Sequence, residues 1–420
     1  MPKKHQASIA IIILIVASLL YVYEFYLRVI PSVITQELMR DLNINAHQLG
    51  VISSLFYVSY TLMQIPAGLL VDRFGPRRLL TIATIICAFS TILSGSADNQ
   101  LMAGLSRFLI GFGSSFAYAC PLLVAKFWFP SSRFAMIGGC IQALGALGAI
   151  IGNEPVAYLT QSIGWRQTCY QSGLFGLMLA LIIWLVVRDK PTQPQRHHHA
   201  MQQMNEINRL KVVVKNHQTW FIAIMGFCYW APMTVFAELW GRSFITQTYG
   251  ISITNASLMM SWVWVGVALG GPVFGWLSNR ICSRKKPIYI SYTLMLVITY
   301  LLVYVPINNG FIIDIYLFFF GFASAAQCVT FGLVSDNNPR NVIGTAIGLN
   351  NMAVIAGGII LQPLVSLLLD YVSTANPASS QTVFNLGDFQ AAFILMPICT
   401  LIGLVTCILF VKETNAKSLY

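Results

Sequence analysis

Charged side chains are scarce in this chain of 420 residues. Asp, Glu, Lys and Arg together make up 9% of it, hydrophobic residues make up 56%, and the mean hydropathy is +0.70. A soluble globular domain carries about a quarter charged residues, so this composition argues against a water-soluble protein. What the chain has instead is a series of apolar runs of roughly 20 residues, the length that crosses a bilayer.

Twelve such runs predict an all-α integral membrane protein, because a helix satisfies its own backbone hydrogen bonds in lipid. The predicted spans, numbered 1 to 12, cover residues 8–33, 47–71, 79–98, 101–124, 134–160, 168–188, 218–246, 254–279, 287–306, 310–334, 343–370 and 388–411. The first run resembles a signal peptide. It continues through Tyr21, Glu24 and Arg28 without a cleavage-type site, so we expect it to be retained as span 1.

Cysteine pairs and catalytic sets are also missing from the sequence. The nine cysteines are scattered, form no C-x-x-C pair and avoid the loops predicted to lie outside, which argues against disulfides. The run His197–His199 has no Cys or carboxylate at ligand spacing, so a solvated linker is the better interpretation than a metal site. No nucleophile set, metal set or phosphate-binding loop is recognisable, and we expect neither an enzyme nor a bound cofactor.

Basic residues are concentrated in alternate loops, although the net charge of +11 could by itself indicate a nucleic-acid partner. Twenty of the 25 Lys and Arg lie at the termini or in every second loop, and the intervening loops hold only Arg40 and Arg166. This distribution follows the positive-inside rule. It predicts cytoplasmic N- and C-termini in a cell or inner membrane, and it gives no support to nucleic-acid binding.

The chain divides into two repeating halves. A polar stretch, 189–217, separates a predicted six-helix bundle at 1–188 from a second at 218–420, and it is predicted to be a cytoplasmic linker. Residues 68–78 align without a gap on 275–285, and Asn153-Glu154-Pro155 aligns on Leu361-Gln362-Pro363. Internal repeats of this size are typical of secondary-transporter folds, whose solute site lies between the repeats near the membrane centre.

One motif carries a specific family resemblance. The segment Gly68-Leu-Leu-Val-Asp72-Arg73-Phe-Gly75-Pro-Arg77-Arg78 follows an apolar helix, and with it the whole chain resembles the major facilitator superfamily. The resemblance implies that this loop latches the cytoplasmic side through Gly68, Asp72, Arg73, Gly75, Arg77 and Arg78. The second copy has Asn279 and Cys282 in place of Asp and Gly, so we expect a weaker latch there. The alternative, that the basic residues only mark the inner side, stays open.

Further segments extend the resemblance. Arg107-Phe-Leu-Ile-Gly111-Phe-Gly113 is similar to the family's span 4 signature, whose arginine is tied to proton coupling in that family. Span 5 contains Gly145, Gly148 and Gly152, which predicts close helix packing. It lacks the Gly-Pro step of the family's antiporters, which disfavours drug export. The segment 238–242 resembles the branch related to lysosomal dipeptide transporters.

Six ionisable side chains lie within predicted spans, where charge is expensive and indicates function. They are Glu24, Arg28, Arg107, Glu154, Glu238 and Arg242. Glu24/Arg28 and Glu238/Arg242 are each four residues apart, so each pair shares a helix face. For Glu238/Arg242 an internal salt bridge is an equally good interpretation, whereas for Glu24/Arg28 we favour a functional role.

The predicted solute site combines these charges with nearby rings and amides. Its members are Arg28, Glu24, Tyr26, Tyr118, Tyr229, Trp230, Asn350, Asn351 and Gln362. Glu154 has a neutral Gln at its repeat position, and Pro155 after it frees a helix carbonyl. We therefore predict that Glu154 carries a coupling proton, with Arg107 and Glu24 as the other coupling residues.

The sequence as a whole predicts a proton-coupled transporter, operating by alternating access, for a small polar or zwitterionic solute such as an amino acid or short peptide. We expect an importer that is monomeric. The alternatives are an organic-anion, siderophore or drug carrier of the same fold, with Arg28 and Arg107 holding carboxylates, or a sensor that does not transport.

Overall fold

The computed structural model describes residues 3–129, 134–189, 206–305, 307, 309–339, 342–375 and 383–416, and within them it is built from helices. Nineteen α-helices are numbered here in chain order. They are α1 Lys3–Val33, α2 Thr35–Asp41, α3 Ala46–Phe74, α4 Pro76–Gly95, α5 Gln100–Ser114, α6 Ala119–Trp128, α7 Phe134–Ile151, α8 Glu154–Ile163, α9 Trp165–Val186, α10 Glu206–Lys215, α11 His217–Val235, α12 Gly241–Tyr249, α13 Ile253–Arg280, α14 Lys285–Tyr304, α15 Gly310–Ser324, α16 Gln327–Asp336, α17 Ile343–Ala375, α18 Leu386–Phe393 and α19 Leu395–Leu409.

The helices account for the predicted membrane spans. Eleven helical segments in the described part of the chain are long and apolar enough to cross a membrane. The predicted second span lies in α3, whose 29 residues extend about 43 Å; some of its side chains are outside the described set. Spans 4, 5, 7, 10 and 12 are each built from consecutive helices, and α10 lies in the predicted linker. The prediction of an all-α membrane protein is confirmed.

Local sequence explains where these helices begin and end. Asn45 caps α3, accepting from the backbone N–H of Gln48 at 2.9 Å while the Gln48 side chain accepts from Asn45 N–H, a reciprocal capping box. Gly75 separates α3 from α4 with φ +78°, a value that glycine adopts without steric cost. Pro76 follows at the first helical position, where its missing N–H is not needed.

Small residues bring helices into close contact within each half. A Cβ at Gly148 in α7 would lie 2.0 Å from the carbonyl oxygen of Val22 in α1, and a Cβ at Gly321 in α15 would lie 1.8 Å from that of Val263 in α13. Neither site has room for a side chain. These contacts hold α1 against α7 and α13 against α15, so the glycines of spans 5 and 10 fix the backbone around the interior.

Contacts between the two halves cluster toward one end of the bundle. We call the end that bears Arg77 and Arg284 the basic side, and the end that bears Asn45 and Asp370 the far side. On the far side, Asn45 Nδ2 donates to Asp370 Oδ2 at 2.9 Å, and Thr254 Oγ1 donates to Gln161 Oε1 at 3.0 Å.

The polar contacts between the halves extend from the far side toward the membrane centre. Among the described residues, the one nearest the basic side is the hydrogen bond from Asn351 Nδ2 to Gln64 Oε1, at 2.8 Å. The structure is therefore closed on its far side.

Candidate functional site

The first element of the site is an ion pair on α1. Glu24 and Arg28 are one helical turn apart, and both are buried. Arg28 donates from Nε to Glu24 Oε1 at 2.8 Å, and its Nη2 contacts the same oxygen. The i,i+4 spacing predicted from sequence is what brings the two groups together.

The second element comes from span 7, where the helix changes its winding. Phe236–Trp240 forms a π-helical turn between α11 and α12, and the backbone N–H of Gly241 donates to Phe236 C=O, an i→i+5 bond. Such turns are widened relative to an α-helix and recur at functional sites. They change the angular positions, around the helix axis, of the side chains after the turn relative to those before it.

Glu238 and Arg242 consequently do not bond to one another. Glu238 is buried, accepts a hydrogen bond from the Tyr57 hydroxyl of α3, and has its Oε1 3.9 Å from Arg28 Nη1. Arg242 donates instead to Ser32 C=O at 2.8 Å and to Ser257 Oγ at 3.2 Å. The self-contained Glu238/Arg242 salt bridge, one of the two interpretations of the sequence, is wrong.

The residues Glu24, Arg28, Glu238 and Tyr57 form what we call the gate network. It joins α1 and α3 of the first half to span 7 of the second. The Arg28 guanidinium also lies over the ring of Phe25, 4.5 Å from its centroid. Glu24 Oε2 and Glu238 Oε1 have no hydrogen-bond partner among the described residues, so the network retains two open acceptors.

Tyr57 is the member that the sequence analysis missed. A tyrosine in an apolar helix is indistinguishable by pattern from a packing residue. Its hydroxyl group gains significance only because α3 contacts span 7 across the two halves.

Arg107 lies beside the gate network, near the same Phe56 ring as Arg28, without a hydrogen bond to any of its members. It is buried in α5, its Nη1 donates to Leu27 C=O at 3.0 Å, and its guanidinium lies 5.0 Å from the centroid of the Phe56 ring. No ion pair joins it to a carboxylate within the described chain. Its predicted role in proton coupling stays a prediction.

Glu154 does not share the interior location of the other charges. Span 5 breaks between α7 and α8, with Asn153 at φ −93° and ψ −88°, and Glu154 begins α8 with an exposed side chain. The interruption around Pro155 is present, but it turns the carboxyl group away from Glu24 and Arg28. Its proposed coupling role remains a prediction that this position does not favour.

The predicted rings are divided among separate contacts. Tyr26 shares a hydrogen bond with Ser172 at 2.5 Å, and Tyr118 lies with its ring 5.3 Å from that of Tyr21. These contacts are within the first half. Tyr229 donates to Ile288 C=O at 2.9 Å within the second half, so it braces one bundle and does not face the other.

Trp230 and the three predicted amides occupy different depths of span 7 and α17. Trp230 lies 6.4 Å from Trp264, centroid to centroid, and its indole N–H has no partner among the described residues. Asn350 Nδ2 donates to Thr330 Oγ1 at 3.1 Å, and Gln362 Nε2 donates to Thr234 C=O at 2.7 Å, while both amide oxygens lack a partner within the described set. Asn351 bonds across the halves, as described above.

On the basic side, the predicted latch loop contacts the end of span 6. The backbone N–H of Arg77 donates to Asp189 Oδ1 at 3.0 Å, and the Arg77 guanidinium stacks 4.2 Å from the Trp184 centroid. Arg73 and Arg78 are exposed. The surroundings of Gly68 and the side chain of Asp72 lie outside what the structure describes, so the latch stays a prediction.

The second half repeats this arrangement with different residues. The backbone N–H of Arg284 donates to Glu413 Oε1 at 2.9 Å, and Arg284 Nε donates to Asp336 Oδ2 at 2.9 Å. Burial alone would raise the pKa of Glu413, but hydrogen bonds from the Ser283 hydroxyl and nearby backbone N–H groups lower it overall. Asp189 and Glu413 were not predicted, although each follows the last span of its half.

Comparisons with known proteins agree with this architecture. Residues 14–244 and 239–419 match the model of the Major Facilitator Superfamily. The chain is 25% identical to the uncharacterized transporter YybO of Bacillus subtilis, covering 91% of this chain and 90% of that protein. It is 24% identical to the probable galactarate/D-glucarate transporter GudP of Escherichia coli, covering 91% and 89% respectively.

A solved structure shows the same fold. A bacterial homolog of the human lysosomal transporter Spinster, in an inward-facing and unoccupied conformation, superposes with a TM-score of 0.75 at 14% identity, covering 95% of this chain and 96% of that one.

Proposed function

The chain belongs to the Major Facilitator Superfamily, and from that premise we propose that this multi-pass membrane transporter carries a small organic anion together with a proton. One observation carries the proposal: a single buried arginine, Arg28, lies between two buried carboxylates contributed by opposite halves. Buried charge inside a membrane is costly unless it is paired, so the charge balance of this group constrains what binds there.

The balance favours joint binding of a proton and an anion. With Glu24 and Glu238 both ionised, the two carboxylates and Arg28 carry one excess negative charge. A solute carboxylate that binds at Arg28 would add a second excess negative charge. The repulsion between these charges is strong in the low dielectric of the protein interior. If one of the two glutamates is protonated first, the network becomes neutral, and the bound solute carboxylate returns its net charge to minus one. Proton and anion therefore bind together more readily than the anion alone, which is the condition for symport.

The same protonation bears on alternating access. Glu238 connects the halves through Tyr57 and Arg28, so a neutral Glu238 would lose its ionic attraction to the first half. The far side would then open more easily. We propose that the gate network is the far-side gate and that the latch loop acts on the basic side.

An anion is favoured over the amino acid or short peptide that the sequence first indicated. GudP, a probable transporter of the sugar diacids galactarate and D-glucarate, aligns along nearly the whole chain. Arg28 supplies the cationic group that a carboxylate needs. A zwitterion would require a second, anionic contact, for which Glu24 Oε2 and Glu238 Oε1 are the open acceptors of the network.

Two experiments test the proposal. The first is a thermal-shift screen of purified protein against sugar diacids, sulfonates, amino acids and dipeptides, since a bound solute raises apparent stability by mass action. We expect acids to stabilise the protein. Stabilisation by amino acids or dipeptides alone would overturn the substrate class.

The second experiment is uptake into proteoliposomes across an imposed pH gradient, using the acid found in the screen. Glu238→Gln should abolish accumulation while retaining exchange of solute down its own gradient. Glu154→Gln, which removes an exposed carboxyl group, should accumulate solute as the wild type does. Wild-type accumulation by both Glu238→Gln and Glu24→Gln would refute the coupling site, and loss of accumulation in Glu154→Gln alone would restore the sequence-based assignment.

A further inference from the structure

Arg107 differs from Arg28 in how its charge is balanced. It is 7% exposed, and its one hydrogen bond within the described chain goes to a neutral backbone carbonyl, that of Leu27. Its Nε has no partner among the described residues. A guanidinium offers five N–H donors and no acceptor, so most of its hydrogen-bonding capacity lacks a described counterpart, and Glu24 acts on its charge without forming an ion pair.

A small cavity adjoins this guanidinium. Its volume is about 30 Å³, and its polar lining consists of Arg107, Ser53, Thr91 and Ser94. Ser53 is also buried, and its Oγ has no hydrogen-bond partner in the described part of the chain. Thr91 already donates to Cys87 C=O at 2.7 Å. Two unpartnered buried donors therefore line one cavity.

We propose that this cavity binds a monatomic anion, chloride under cellular conditions. Its volume suits one or two water molecules and is too small for a sugar acid or an amino acid. Its polar lining consists of a positively charged guanidinium and hydroxyl groups, and no carboxylate lines the cavity. This lining is suited to an anion and not to a cation. The remaining walls are apolar, including Leu27 and Ile30, so the charge of Arg107 and the hydroxyl donors must offset the cost of removing water from the ion.

The position of the cavity indicates what the anion does. It lies between α1, α2, α3, α4, α5 and α9 of the first half, and no residue of the second half lines it. The anion thus neutralises Arg107 and ties α5 to α3 within one bundle. Ile52 lines both this cavity and a larger outward groove with Val51, Leu55 and Gly104, so it forms the wall between them and marks the route of access.

The test is direct binding of radioactive chloride-36 to the purified full-length protein, measured by scintillation proximity with sulfate maintaining ionic strength. We expect saturable binding near one ion per chain. Ser53→Ala should weaken the affinity several-fold, and Arg107→Gln should abolish binding. Arg107→Lys, which retains the charge, should retain weaker binding.

Ser90→Ala is the matched control, because Ser90 is equally buried but already donates to Ile86 C=O at 2.6 Å and does not line the cavity. It should bind chloride like the wild type. Absence of saturable binding, which would mean that the cavity holds water only, or equal binding by Arg107→Gln would overturn the proposal. Glu238→Gln should bind chloride normally, so this result is independent of the coupling mechanism.

Discussion

Replacing Tyr57 with Phe isolates one bond of the gate network. The change removes only the hydroxyl group that donates to Glu238 and leaves the ring packed on Phe56, whose centroid is 5.1 Å away. A hydrogen bond to a charged group contributes about 1.5–3 kcal/mol. Because this bond joins the two halves, it stabilises only the conformation that is closed on the far side. A loss of about 2 kcal/mol should lower the closed-to-open ratio about 30-fold.

The ratio can be measured by electron spin resonance distances between labels on the two halves. Cysteines at the exposed positions Arg40 and Phe311 carry the labels, after the exposed Cys140 and Cys282 are replaced by Ser. Tyr57→Phe should increase the population with the longer distance, and acidification should have the same effect in the wild type because it neutralises Glu238.

Tyr292→Phe provides the control for this experiment. Tyr292 is fully buried, and its hydroxyl donates to Met225 C=O at 2.6 Å, but both residues belong to the second half. Its loss should lower thermal stability without changing the distance distribution. A wild-type distribution in Tyr57→Phe, or an equal shift in Tyr292→Phe, would show that the Tyr57–Glu238 bond does not hold the far side closed.

Other expectations concern packing, charge and topology. Gly148→Ala should lower the melting temperature strongly because its Cβ would meet the Val22 backbone, whereas Gly344→Ala, with nothing within 4 Å, should be neutral or slightly stabilising; equal effects would refute the close contact. Glu413→Gln should destabilise the protein at neutral pH, and its deficit relative to the wild type should shrink as pH falls below about 4, since a lowered carboxyl pKa stabilises only above that range; a deficit that is constant with pH would contradict this. A cysteine at Gln203 should react with an impermeant reagent only from the cytoplasm, and one at Asn308 only from outside; the reverse pattern would invert the topology.

Span positions were predictable because the membrane imposes a length and a composition on each helix. The sequence also indicated a freed carbonyl in span 5, since Pro155 cannot donate to the carbonyl four residues earlier, but it did not indicate that the span divides into two helices there. Five of the six charges assigned to helix interiors are indeed buried. Glu154 is the exception, because it is the first residue of a new helix after the break. The helical periodicity of α7 therefore does not determine where its side chain points.

Pairing between the charges was not predictable. Each i,i+4 pair can form its own salt bridge, and for Glu24 and Arg28 that is what occurs. For Glu238 and Arg242 the same spacing fails, since the backbone between them is π-helical and no local sequence rule identifies such a turn. The partners from other helices, Tyr57 and Ser257, depend on which faces meet across the interface, which a single sequence does not reveal.

The π-helical turn makes chain length, and not only residue identity, a determinant of the gate. Deleting one residue within 236–240 would return the segment to ordinary α-helical winding. A π turn holds about one residue more than an α turn, so α11 and α12 would keep nearly their present directions, but the side chains of the segment would be spaced differently around the helix. Glu238 would then leave Tyr57 and Arg28, or Arg242 would leave Ser32 and Ser257. The extra residue of the π turn lets Glu238 and Arg242, on one continuous span, reach different partners. Deletions and insertions there should therefore be tolerated far less than substitutions of Leu239.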